Sequence, residues 1–125
     1  MRALVIRHPF IDQILDGGKR WELRSSNTKV RERIGLIAGG SGTVIGVCDL
    51  VDSVPLTPAV LRANAPVAGI CPDEARSSDY RHGFAWVMQK PKRLRKPVPY
   101  RHPSGAVIWV TLDRRVEDNI RRQYR

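Results

Sequence analysis

Gly17-Gly18-Lys19-Arg20-Trp21-Glu22-Leu23-Arg24 is a glycine turn that runs into an alternating segment. Two successive glycines admit backbone conformations that cost other residues steric energy. Beyond the turn the pattern has a period of two. Trp21 and Leu23 face one way and Arg20, Glu22 and Arg24 the other, as along a β-strand. Lys19 lies at the turn and is not bound by that alternation. A lysine, a carboxylate and an arginine therefore converge beside a glycine hinge, the chemically richest site in the sequence.

Upstream, Ala3-Leu4-Val5-Ile6-Arg7 is short, apolar and partly β-branched, and it ends at His8-Pro9, which predicts a buried first strand. Pro9 suits a helix start, Phe10, Ile11, Ile14 and Leu15 fall at helical spacing, and Gly17-Gly18 end the helix. Downstream, Ser25-Ser26-Asn27-Thr28 is a polar turn, and Ile34 to Ala38 resumes an apolar strand. Gly39-Gly40-Ser41-Gly42 links it to Thr43–Val51, apolar on both faces and so expected in the middle of a sheet. This glycine-rich link lacks the Gly-Lys-Ser/Thr ending of a phosphate-binding loop and is expected to be a hairpin connection.

Four prolines between residues 53 and 81 punctuate two short helical pieces, near Pro58–Asn64 and Pro72–Asp79. Phe84 to Met88 returns to strand. Lys90, Lys92, Arg93, Arg95 and Lys96 form a basic segment without an acid, expected as a loop, followed by a last strand over Ala106–Leu112. Asp113 is placed to cap a C-terminal helix striped by Val116, Ile120 and Tyr124. About six strands with short helices and no sustained strand–helix alternation predict a single α+β domain, a small mixed β-barrel or curved sheet with peripheral helices.

The 125 residues are enough for one core, and no apolar run is long enough to span a membrane. The apolar N-terminal run is too short for a signal peptide, so a cytoplasmic location is expected. Twenty-two Lys and Arg against twelve Asp and Glu give a formal charge of +10 and a pI near 10.6. Such an excess favours polyanionic partners, nucleic acid above all, through phosphate neutralisation. Cys48 and Cys71 match no metal-ligand spacing and are expected as reduced structural thiols. No metal site and no cofactor are expected.

The spacing Gly-x-Lys-x-x-Glu-x-Arg, filled by Gly17, Lys19, Glu22 and Arg24, resembles the hallmark of the ASCH domain, a branch of the PUA-like superfamily. The order of segments around it, from the first strand ending in Arg7-His8-Pro9 through Ile45-Gly46-Val47 and Phe84-Ala85-Trp86-Val87 to Gly105–Trp109, is similar to that family over nearly the whole chain. The resemblance implies a PUA-like β-barrel whose motif residues line a cleft for RNA or a nucleoside. Some small ASCH proteins are hydrolases, acting on acetylated cytidine or on RNA, and others are RNA-binding modules. In the amidohydrolase type a Thr follows the motif lysine by three residues, whereas Glu22 stands here, the more usual ASCH pattern.

Two classes of function follow. In a binding module, Lys19, Glu22 and Arg24, with Arg7, His8, Pro9, Gly18, Ser25, Ser26 and Asn27 around them, hold the ligand. Lys90, Lys92, Arg93, Arg95 and Lys96 contact a nucleic-acid backbone, supported by Tyr100 and Arg101. In a small metal-independent hydrolase, Lys19 activates water or substrate, Glu22 assists proton transfer and Arg24 stabilises negative charge. His8 is a further group with a suitable intrinsic pKa, and Tyr80 and His82 are weaker cleft candidates. Trp21 is expected in the core and a protein-binding adaptor has no motif to support it.

Overall fold

Leu4 and Ile6 are buried on one face of strand β1 (Arg2–Ile6) and Ala3 on the other, because β1 lies inside a sheet with helices on both sides. The computed structural model describes residues 1–70 and 83–124. Cys71, the expected helix at 72–79, Tyr80 and His82 lie outside these. The remaining elements are α1 (Phe10–Leu15), β2 (Trp21–Arg24), β3 (Glu32–Ala38), β4 (Thr43–Pro55), α2 (Pro58–Ala63), α3 (Ala65–Ala68), β5 (Phe84–Pro99), β6 (Trp109–Thr111) and α4 (Arg114–Arg122).

The six strands form one mixed sheet in the order β2-β5-β4-β3-β1-β6. Only β1 and β3 are parallel, while the other four pairings are antiparallel. The α+β architecture with short helices is thus the one the sequence predicts, and β4 is central. The edge strands β2 and β6 do not pair, so the curved sheet stays open rather than closing into a complete barrel. Register shifts interrupt β3–β4 once and β4–β5 three times. Such irregularities increase local twist and bend the strands.

The alternation of strand side chains divides the core. One face, carrying Leu4, Leu36, Cys48, Trp86 and Met88, is covered by Ile11, Ile14 and Leu15 of α1. The opposite face, carrying Ala3, Ile37, Val44, Leu94 and Val110, is covered by Val116 and Ile120 of α4. A third cluster joins Leu56, Leu61, Ala68 and Ala85, with Trp21 and Leu23 packed against it. Gly46 lets α1 approach β4, since a Cβ there would collide with the Leu15 side chain and stand 3.1 Å from the Lys92 carbonyl oxygen.

Residues 90–96 are not a loop but part of β5, paired with β4 through Val47–Lys92 and Gly46–Arg93. Their side chains hide the strand from a pattern search, because only Leu94 and Val98 turn into the core. Backbone pairing holds the segment, and Gln123 completes it: its amide donates to the Lys96 carbonyl at 2.9 Å and its oxygen accepts from the Lys96 N–H at 3.0 Å. The last strand is also shorter than expected. Residues 101–108 form a turn closed by His102, whose ring lies 2.7 Å from Tyr100 Oη and 2.6 Å from the Ala106 carbonyl. No helix among the described residues is long and apolar enough to cross a membrane.

Candidate functional site

β2 is held along one side by β5, in the register Trp21–Val87, Glu22–Trp86, Leu23–Ala85 and Arg24–Phe84. The turn before it is fixed at both ends. Gly17 has φ +87°, the Lys19 N–H donates to the Gln13 carbonyl at 3.1 Å, and the Arg20 N–H donates to the Val67 carbonyl at 2.7 Å. A turn lysine is ordinarily exposed; Lys19 is only 4% exposed. Its Nζ donates to the Ala68 carbonyl at 2.6 Å and lies 5.5 Å from the Phe10 ring centroid. Gly69, at φ +70°, makes room for this. A Cβ there would stand 2.9 Å from Gln13 Oε1 and 3.3 Å from Lys19 Cδ.

Glu22 is 7% exposed. Its Oε2 lies 3.9 Å from Arg24 Nη2 and has no hydrogen-bond partner among the described residues. Buried carboxylate oxygens are ordinarily satisfied, so an unpaired one calls for an explanation. Arg24 Nη2 donates instead to the Val5 carbonyl at 2.8 Å, and its guanidinium carbon lies 5.6 Å from the Trp86 ring centroid. Trp86 is itself fixed by stacking on Trp109, 5.7 Å away and tilted by 14°, and by donating from Nε1 to the Ser26 carbonyl at 2.9 Å. The Arg7 guanidinium carbon lies 5.6 Å from the Phe10 ring centroid.

Glu22 and Arg24 share a cavity of about 360 Å³ whose walls also include Val5, Arg7, Phe10 and Ile70; Lys19 is not among its walls but lines a neighbouring one. Burial raises the Glu22 carboxyl above its ordinary value of 4.5, against the opposing charges of Arg24, Lys19 and Arg7. Burial likewise lowers the Lys19 ammonium below 10.5, with Glu22 opposing the shift and Arg24 adding to it. Burial thereby displaces both groups toward their neutral forms.

Other residues singled out in the sequence lie elsewhere. His8 is exposed and its Nδ1 lies 2.6 Å from Asp12 Oδ2; this imidazole lowers the Asp12 carboxyl. Pro9 and Gly18 are exposed at the start and beyond the end of α1. Ser25, Ser26 and Asn27 form an exposed turn beyond β2, in which the Asn27 side chain accepts from the Thr28 N–H at 2.9 Å. Lys90, Lys92, Arg95 and Lys96 are exposed along β5, while Arg93 pairs with Asp12 at 3.2 Å and Asp16 at 3.5 Å. Tyr100 packs against the second core cluster and Arg101 is exposed.

Four contributors escape the sequence reading: the ring of Phe10, the side chain of Ile70, and the carbonyls of Val5 and Ala68. A main-chain carbonyl has no sequence signature. Phe10 falls at helical spacing with the core residues of α1 and so looks like one more of them. The lone Gly69 after Ala-Pro-Val-Ala is the one local signal, a left-handed helix end that requires glycine.

A search among curated proteins finds no match. Among solved structures, the crystal structure of an ASCH protein from Zymomonas mobilis is similar at a TM-score of 0.72 and 17% identity, covering 97% of this chain and 93% of that one. A tyrosine-to-phenylalanine variant of the Zymomonas mobilis protein is similar at 0.71 and 17% identity, covering 97% and 96%. At this identity the likeness speaks for the fold. The ASCH domain family model matches residues 4–98, a span that starts within β1, reaches through most of β5 and includes every described residue of the first pocket. By that match over most of its length, the chain belongs to the ASCH domain family.

Proposed function

We propose that the pocket between β1, α1 and β2 binds a nucleoside, modified or presented by single-stranded RNA. The observation that carries this reading is Glu22 Oε2, a buried carboxylate oxygen with no partner among the described residues, beside a cavity of ligand size. It suits a ligand N–H, such as the edge of a base. Arg7 and Arg24 flank it as donors for carbonyl or phosphate oxygens. The exposed bases Lys92, Arg95 and Lys96 suit the backbone of an attached strand.

Titration calorimetry with ribonucleosides, N4-acetylcytidine and short RNA tests this. Micromolar to millimolar binding that falls at least about tenfold in Glu22→Gln is expected, the scale of a lost charged hydrogen bond. Binding by no nucleoside and no RNA, or full affinity in that variant, would rule it out.

Hydrolysis is the second reading, favoured by the opposed displacements of Lys19 and Glu22. In it, neutral Lys19 or ionised Glu22 takes a proton from water as the water oxygen bonds to the acyl carbon or phosphorus, and the protonated partner gives one to the leaving group as its bond to that centre breaks. Arg24 stabilises the developing negative charge. The assay incubates protein with acylated nucleosides and with RNA, with and without chelator. Turnover that persists at the wild-type rate in Lys19→Met would exclude this mechanism.

A further inference from the structure

A second cavity, of about 550 Å³, opens where β2 begins. Trp21, Ile14, Val67 and Met88 give it apolar and aromatic walls, while Lys19, Arg20 and Lys90 supply the charge. Among the described residues lining it there are three basic side chains and no acid. Such a surface is complementary to an anion carried on a flat apolar body.

Lys19 reaches from this cavity toward a wall of the first. It helps line the second, while its Nζ lies over Phe10, a wall of the first. The rim is also built by an unusual piece of backbone. Lys90 has φ +50°, the one non-glycine residue with positive φ among those described. Between the pairs Val47–Lys92 and Asp49–Gln89, β4 advances two residues and β5 three, so Lys90 and Pro91 form a bulge. A left-handed lysine directly before proline is disfavoured twice over, and bulges of this kind re-aim a side chain beside a site.

We propose that this cavity is a second nucleotide subsite, which takes the nucleotide adjoining the one in the first pocket. The linking phosphodiester lies between Arg20 and Lys90, and the second base lies against Trp21. The inference rests on the reading of the first pocket as a nucleoside site and extends it to a dinucleotide unit.

The test titrates the full chain with the four ribonucleosides and the matching dinucleoside monophosphates, followed by calorimetry and amide NMR. The best dinucleoside monophosphate is expected to bind about tenfold tighter than its nucleoside, the scale of one added stacked base. It should also shift the Trp21 indole and Lys90 amide signals, and show a log affinity against log salt slope steeper by about 0.7 for its one phosphate. The Arg20→Gln/Lys90→Gln double variant, altered only at exposed side chains, should lose the gain and the extra slope while keeping nucleoside affinity. Equal affinity for nucleoside and dinucleoside, or a gain that survives in the double variant, overturns the second subsite and leaves the first-pocket reading standing. Failure of both ligands to bind overturns both.

Discussion

Glu22 is placed at odds with the stability of its own fold. Its carboxyl titrates near 4.5 in the unfolded chain and higher in the folded one, because burial outweighs the attraction of Arg24, Lys19 and Arg7. Between those two values the folded state holds the extra proton. The Glu22 contribution to stability is therefore largest at acid pH, declines as pH rises through 4.5, and is fully lost above the folded pKa. Glu22→Gln imitates the protonated form. It should raise stability at neutral pH by roughly 1 kcal/mol, the size of an ordinary substitution effect, with the gain vanishing toward pH 4. Urea titrations of both proteins from pH 4 to 8 check this, and a gain that does not depend on pH would contradict it. A side chain that costs stability at neutral pH is consistent with the proposed binding role.

At the scale of elements, much of the site's setting was legible. The first strand, the helix through Leu15, the glycine turn and β2 follow from local periodicity and turn chemistry, because each is short and governed by neighbours in sequence. Asp113 was legible as a cap for the same reason, and its Oδ1 accepts the Val116 N–H at 2.9 Å. Asp113→Ala should lower stability by about 1 kcal/mol, the usual value of an N-cap, and leave nucleoside affinity unchanged, as thermal melts and calorimetry would register. The basic half of β5 was not legible, since its strand character comes from pairing with β4 and from Gln123, partners distant in sequence. Nor was the burial of Lys19, which depends on the end of α3 reaching back over α1. Gly69 is the joint there. Gly69→Ala should cost about 1–2 kcal/mol from its positive φ and weaken nucleoside binding by shifting the adjoining Ile70, a wall of the first pocket. Retained stability and affinity in this variant would separate α3 from the pocket.

For the whole molecule, the formal charge of +10 is distributed unequally. Arg33, Arg93 and Arg121 are occupied by Asp49, Asp12 and Glu117, whereas Lys92, Arg95 and Lys96 lie exposed on β5 with no ion pair among the described residues. RNA affinity should therefore fall steeply with salt while nucleoside affinity changes little. A Lys92→Gln/Arg95→Gln/Lys96→Gln variant should lose about two units from the magnitude of that salt slope if each residue neutralises one phosphate, at about 0.7 per contact. Filter binding between 50 and 200 mM salt, as order-of-magnitude conditions, reads the difference. An unchanged slope would move the RNA track away from β5.

The stacked indoles of Trp86 and Trp109 give the protein an optical reporter of its own. Parallel chromophores this close couple electronically, and Trp86 also carries the Arg24 guanidinium over its ring. A ligand that draws Arg24 toward the cavity alters the field on that indole. Near-ultraviolet dichroism and tryptophan emission would then follow occupancy of the first pocket without any label attached to protein or ligand.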